Sequence, residues 1–162
     1  MSFISPTLGQ LSLYEVVQDI AKYLHDDPES HYRLVIGSDS HERRVNGHKI
    51  ANYITAVVVH RIGHGGRYYW KNGAKEKVFN LRQKIYKETQ LSLETTEALV
   101  PHIRKSLNGS RNWELEIHID VGEFGQTRDM IKEVVGMVTG NGYTARTKPD
   151  SFAATTVADK HT

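Results

Sequence analysis

The chain contains no cysteine. Disulfides, a disulfide-linked partner and thiolate metal sites are therefore excluded. Proline is scarce, with 4 in 162 residues. No Pro-rich or Gly/Ser-rich linker and no low-complexity tract interrupts the chain. No apolar run reaches the roughly 18 residues that a membrane-spanning helix needs, so no membrane association is expected. The opening residues, MSFISPTLGQ, lack the basic-then-apolar order of a secretory signal. A cytoplasmic location is the resulting expectation. There is no GxxxxGK[ST] loop and no second copy of the domain to close over a nucleotide, which counts against a kinase-like reading.

What remains is ordinary globular composition, 38% hydrophobic and 25% charged. The length fits a single domain over residues 1–162 with a proper core. The formal net charge is only +2, but the charges are segregated. Residues 1–31 carry Glu15, Asp19, Asp26, Asp27 and Glu29 against Lys22. Residues 61–87 carry Arg61, Arg67, Lys71, Lys75, Lys77, Arg82, Lys84 and Lys87 against Glu76. Such a block attracts polyanions, although a solvated basic surface explains it equally well.

Ser12 and Glu15 have the spacing of a capping box and open a helix at about 12–25. RLVIG is a buried first strand. Asn46-Gly47 is a hairpin signal, IANYITAVVVHRI a second strand, and RYYWK a third after the Gly63–Gly66 turn. Together these make an antiparallel meander. A helix follows over 80–107, with Pro101 predicting a break or kink near its end. WELEIHIDVG alternates with a period of two and is the fourth strand. GQTRDMIKEVVGMVTGNG is a second long helix, YTARTK a fifth strand, and SFAATTVADKHT holds a closing short helix.

Helical crossovers imply parallel pairing of strands one, four and five. Ligands gather at the carboxyl ends of such strands. Asp39 ends strand one and Asp120 ends strand four, so both carboxylates arrive at the same end of the sheet. Their repulsion costs about 1 kcal/mol at ~4 Å in water and about 4 kcal/mol at an effective dielectric of 20. A shared proton, a nearby lysine or arginine, or a hard divalent cation would each offset it. Taken singly, either aspartate could equally be a turn or helix cap. Counting along the Leu81, Ile85 stripe puts Glu88, Ser92 and Thr96 on one helix face. A glutamate there either finds a partner or snorkels from the stripe edge. His118 shares a strand face with Asp120 and could orient it, or could be a satisfied, partly buried histidine.

LVIGSDSH, VVVHRIGHGGRYYW, IYKETQLSLE, IHIDVGEFGQTR and KPDSFAATTVADKHT resemble the YkuK-like bacterial proteins. This family has no settled activity and is described as having a ribonuclease H-like fold. The resemblance implies an α/β fold with a five-stranded mixed sheet, strands 1–3 as a meander and strands 4 and 5 parallel, flanked by helices. In the wider superfamily an Asp on strand one, a Glu on the first long helix, an Asp on strand four and a carboxylate on the last helix hold divalent metals. Residue by residue, Asp39 matches the first position, Glu88 the second, Asp120 the third and Asp159 the fourth. Asp150, directly after strand five, is the rival for the fourth place, or the N-cap of the final helix. Nine helical residues would separate it from Asp159 by roughly 13 Å, too far to serve the same metal.

The resemblance thus implies a Mg²⁺- or Mn²⁺-dependent nuclease acting on RNA or DNA through a two-metal mechanism. Arg67, Lys71 and Lys75 would hold the phosphate backbone, and Tyr68, Tyr69 and Trp70 are candidates for base stacking. The alternative is a catalytically inactive nucleic-acid-binding module on the same fold. IGHGGR could cradle a phosphate, though a hairpin loop accounts for its glycines.

Overall fold

The structure, a computed structural model, describes residues 1–151. Its elements in chain order are β1 (Ser2–Ser5), β2 (Gly9–Ser12), α1 (Leu13–Asp26), β3 (Tyr32–Val45), β4 (His48–Arg61), β5 (Gly66–Lys77), α2 (Leu81–Leu107), β6 (Trp113–His118), a 3₁₀ turn (Arg128–Met130), α3 (Ile131–Gly140) and β7 (Thr144–Arg146). One seven-stranded mixed sheet runs in the order β2-β1-β5-β4-β3-β6-β7. The closing helix and Asp159 lie outside the described residues.

Local chemistry explains most boundaries. The Ser12 side chain accepts from the Glu15 N–H and the Glu15 carboxylate accepts from the Ser12 N–H, a full capping box for α1. Asn46 and Gly47 both have positive φ, 50° and 79°. That is the two-residue turn whose twist matches a hairpin, and it joins Val45 to His48 in register. Asn80 caps α2 by accepting from the Gln83 N–H. β3 pairs parallel with β6, and β6 with β7, as helical crossovers require.

Three expectations need correction. The sheet has seven strands rather than five, because residues 2–12 form a short hairpin on its edge. Four-residue strands containing serine, glycine and one apolar inward face carry little periodic signal. Of the break or kink expected at Pro101, the break does not occur: α2 continues through the proline to Leu107. Leu99, Val100 and Ile103 around the proline are fully buried, and this packing holds the turn. The segment after β6 is not one long helix: it is a loop, the 3₁₀ turn and the ten-residue α3.

The main core lies between α1, α2 and one sheet face, joining Val16, Ile20, Leu34, Ile36, Val57, Leu99 and Ile103. A second cluster joins Ile85 and Leu93 of α2 to Ile117 and Ile119 and to Val134 and Val138 of α3. All three described helices thus pack on one face. Side-chain alternation sends Arg33, Val35 and Asp39 to the other face, where Val35 packs with Ala56 and Val58.

Candidate metal centre

The β3–β6 register pairs Tyr32 with Trp113 and ends with Gly37 opposite His118. Carried two residues further, it brings Asp120 level with Asp39. The neighbouring chain keeps the line: the Ile119 N–H donates to the Arg146 carbonyl at 2.9 Å and the Lys148 N–H to the Val121 carbonyl at 2.8 Å. Asp39 does not end its strand as expected: β3 runs on to Val45 because its hairpin with β4 continues the ladder. Asp39 thus sits mid-strand opposite Ile54, at the point where the parallel pairing with β6 has ended, and Asp120 lies two residues past β6.

Ser38 and Ser40 face α2. Ser38 Oγ lies 2.8 Å from both Thr55 Oγ1 and Ser92 Oγ, a buried hydroxyl chain tying β4, β3 and α2 together. Ser40 Oγ donates to Glu88 Oε2 at 2.7 Å. The serines thus anchor the helix and its glutamate, while Asp39 between them leaves from the opposite side of the strand. Glu88 is 4% exposed. Burial pushes its carboxyl up to about 7, the Ser40 bond and Lys84 oppose this, and Asp120 and Glu42 add to it.

The missed residue is Lys148. Its Nζ lies 2.8 Å from Asp120 Oδ1. Bonding to Asp120, with further attraction from Asp39 and Glu88, raises its ammonium above the ordinary lysine value. Of the three ways to offset the carboxylate repulsion, the lysine is the one seen, with protonation of Glu88 favoured beside it. The sequence signal was its place just beyond strand five, at the same sheet end. Gly122 makes room for it, since a Cβ there would stand 3.1 Å from Lys148 Cβ.

Among the described residues, no three His, Asp or Glu side chains are placed to hold a metal together. Asp39 and Glu88 leave from opposite faces of the sheet, and Lys148 engages Asp120. By donor type the set still fits Mg²⁺ or Mn²⁺. It consists of carboxylate oxygens, and a cation already sits on Asp120 within the field of the other two.

His118 bonds Glu116 rather than Asp120, with Nε2 3.0 Å from Glu116 Oε2. Arg146 Nε donates to Glu116 Oε1 at 3.3 Å, and Arg33 Nε lies 3.4 Å from the same oxygen without hydrogen-bond alignment. Burial alone would raise the Glu116 carboxyl, but His118 and the arginines hold it below its ordinary value. Burial lowers the His118 imidazole despite that neighbour.

The basic residues singled out differ in their surroundings. Arg67 Nη1 donates to Asp19 Oδ1 at 2.8 Å and its guanidinium lies 4.9 Å from the Tyr23 ring centre. Tyr69 also donates to Asp19 and is buried in the core. Lys71 lies half-buried, its ammonium lowered by burial and partly restored by Glu94. Lys75 is exposed. The IGHGGR loop closes β4 onto β5 through the Arg61 N–H and Gly65 carbonyl, at the sheet end opposite the carboxylates. Asp150 has its backbone N–H on the Thr147 carbonyl.

A mixed sheet with one acidic residue within its central strand β3, another just past the neighbouring parallel strand β6, and a third on the first crossover helix fits an α/β protein of the ribonuclease H type. The family model described as Ribonuclease H-like matches residues 15–162, and the chain belongs to that family. It is 31% identical to the Bacillus subtilis (strain 168) protein named "Uncharacterized protein YkuK", covering 99% of this chain and 96% of that one. No solved structure matches it. No helix among the described residues is long and apolar enough to cross a membrane.

Proposed function

We propose that the chain hydrolyses phosphodiester bonds of RNA or DNA with Mg²⁺ or Mn²⁺ held by Asp39, Asp120 and Glu88. Asp159, outside the described residues, is the fourth carboxylate of this reading. The observation that supports it is that Lys148 Nζ, 2.8 Å from Asp120 Oδ1, also lies within the field of Asp39 and Glu88, carboxylates of two other elements. When bound, divalent ions supply charge neutralisation at the phosphate and an activated water. The chain's own residues do the positioning. Ser40 fixes one Glu88 oxygen, and the Ser38–Ser92 contact fixes α2 against β3. Lys148 reaches the same place with a charge suited to a phosphate oxygen once it leaves Asp120.

One observation favours the second reading, a nucleic-acid-binding module without chemistry: Lys148 pairs with Asp120 at 2.8 Å, occupying a carboxylate the first reading gives to a metal. The two separate on a labelled oligonucleotide incubated with Mg²⁺, Mn²⁺ or EDTA. Metal-dependent cleavage that Asp39→Asn and Asp120→Asn reduce by a hundredfold or more supports the nuclease. Binding without cleavage in every metal supports the module.

A further inference from the structure

We infer that the two loops carrying Phe79 and Phe124, before α2 and after Asp120, form a stacking subsite for unpaired bases, so that the substrate is a single-stranded nucleic acid. This rests on the nucleic-acid reading above and names its substrate class.

Phe79 and Phe124 are the most exposed large hydrophobic residues described, at 79% and 93%. Both sit at the carboxylate end of the sheet. Phe79 follows Val78, whose N–H bonds the Lys49 carbonyl, and immediately precedes the cap of α2, the helix that carries Glu88. Phe124 lies in the loop that leaves Asp120, two residues before Gln126. Phe79 and Gln126 line the same groove, of about 250 Å³, so the two loops meet there. Phenylalanines this exposed cost solvation and contribute little packing; Phe79 lines this groove, and Phe124 stands two residues from Gln126, which lines it too.

The groove is charged as a phosphate would require. Lys49 Nζ and Lys84 Nζ both rest on Glu42, at 3.7 and 3.2 Å, so two cations share one carboxylate and leave an excess positive charge. Lys84 stands one helical turn before Glu88 and is felt by it. A strand whose base stacks on Phe79 can thus set its phosphate on Lys84 and run on towards Glu88 and Asp120. A ring on an exposed loop gains stacking only from a base face that is free. In a duplex both faces are already covered by neighbouring pairs, whereas single strands offer them. Lysines with phenylalanines between them are the composition of such platforms.

Fluorescence anisotropy in EDTA tests this with a labelled 12-nucleotide strand. The same strand as a duplex, an abasic strand of equal charge, and both RNA and DNA versions complete the set. Wild type should bind the intact strand at least tenfold more tightly than the duplex or the abasic strand. Phe79→Ala and Phe124→Ala should each lose about tenfold on the intact strand and nothing on the abasic one, and Phe79→Trp should restore binding. RNA binding tighter than DNA, or the reverse, assigns the sugar. Equal binding to duplex and strand, or phenylalanine variants with unchanged affinity, overturns the inference. So does a change in oligomeric state of the variants without a change in strand affinity, which would make the patch a protein contact. Thermal melts establish that the variants fold. A Phe-dependent strand preference in a protein without metal response keeps this inference and removes the nuclease reading, and the converse result does the opposite.

Discussion

Replacing Glu88 by glutamine isolates the electrostatic cost of the carboxylate cluster. Burial moves the Glu88 carboxyl from 4.5 in the unfolded chain to about 7 in the fold. Between those values the folded protein holds a proton that the unfolded chain has released. Stability therefore falls as pH rises through this window, and the full cost is reached above about 7. At ~1.4 kcal/mol per pKa unit the gap corresponds to about 3 kcal/mol. Glutamine keeps the size of the side chain and can still accept from Ser40 Oγ, but it cannot ionise. In EDTA, Glu88→Gln and wild type should be nearly equal in stability at pH 5. The variant should lead by up to about 3 kcal/mol at pH 8, or roughly 6–12 °C in Tm for a chain of this size. Urea unfolding from pH 5 to 8.5 measures the difference directly. Saturating Mg²⁺ or Mn²⁺ at pH 8 should narrow the gap, because only wild type offers the ion a third carboxylate. A difference independent of pH, or a variant less stable at every pH, would refute the reasoning: Glu88 would then be no desolvated carboxylate.

Lys148→Met removes the cation that sits on Asp120. Because the lysine is half-exposed, the metal-free protein should lose no more than about 1 kcal/mol, while calorimetry should find divalent ions binding severalfold more tightly. Neutralising Lys75 should flatten the salt dependence of strand binding by about one unit of slope or less, read from anisotropy at a series of salt concentrations. Arg67→Gln should instead lower Tm with little effect on that slope, because its guanidinium is committed to Asp19 and the Tyr23 ring.

The parallel pairing of the strands before Asp39 and Asp120 was legible, because crossover helices force it. The strand end was not: β3 runs six residues past Asp39, because the hairpin with β4 carries the ladder on to Val45. Glu88 was legible as a break in an apolar stripe, and the partner that explains it is Ser40. Lys148 was not. A lysine past a three-residue strand looks like any solvated charge until the chain from 119 to 122 is known to lie beside it. The edge hairpin was hidden by brevity. The partner of Arg67 was hidden for a different reason: a block of positive charge in sequence says nothing about Asp19, 48 positions away across the fold. The Glu116–His118 pair is similar, since its burial depends on arginines supplied by two other strands. Long-range ion pairs leave no periodic trace.

The central claim is that Asp39, on β3, binds a divalent cation together with Asp120. Thermal melts of wild type, Asp39→Asn and Asp120→Asn across a titration with Mg²⁺ or Mn²⁺ test it without a substrate. Wild type should gain stability as RT ln(1 + [L]/Kd), about 2.7 kcal/mol at a hundredfold excess over Kd. Without metal, Asp39→Asn should be as stable as wild type or more so, and Asp120→Asn, which loses its Lys148 pair, should fall by no more than about 1 kcal/mol; both should gain far less with metal. A wild type indifferent to both metals, or variants that respond as fully as wild type, would contradict the account.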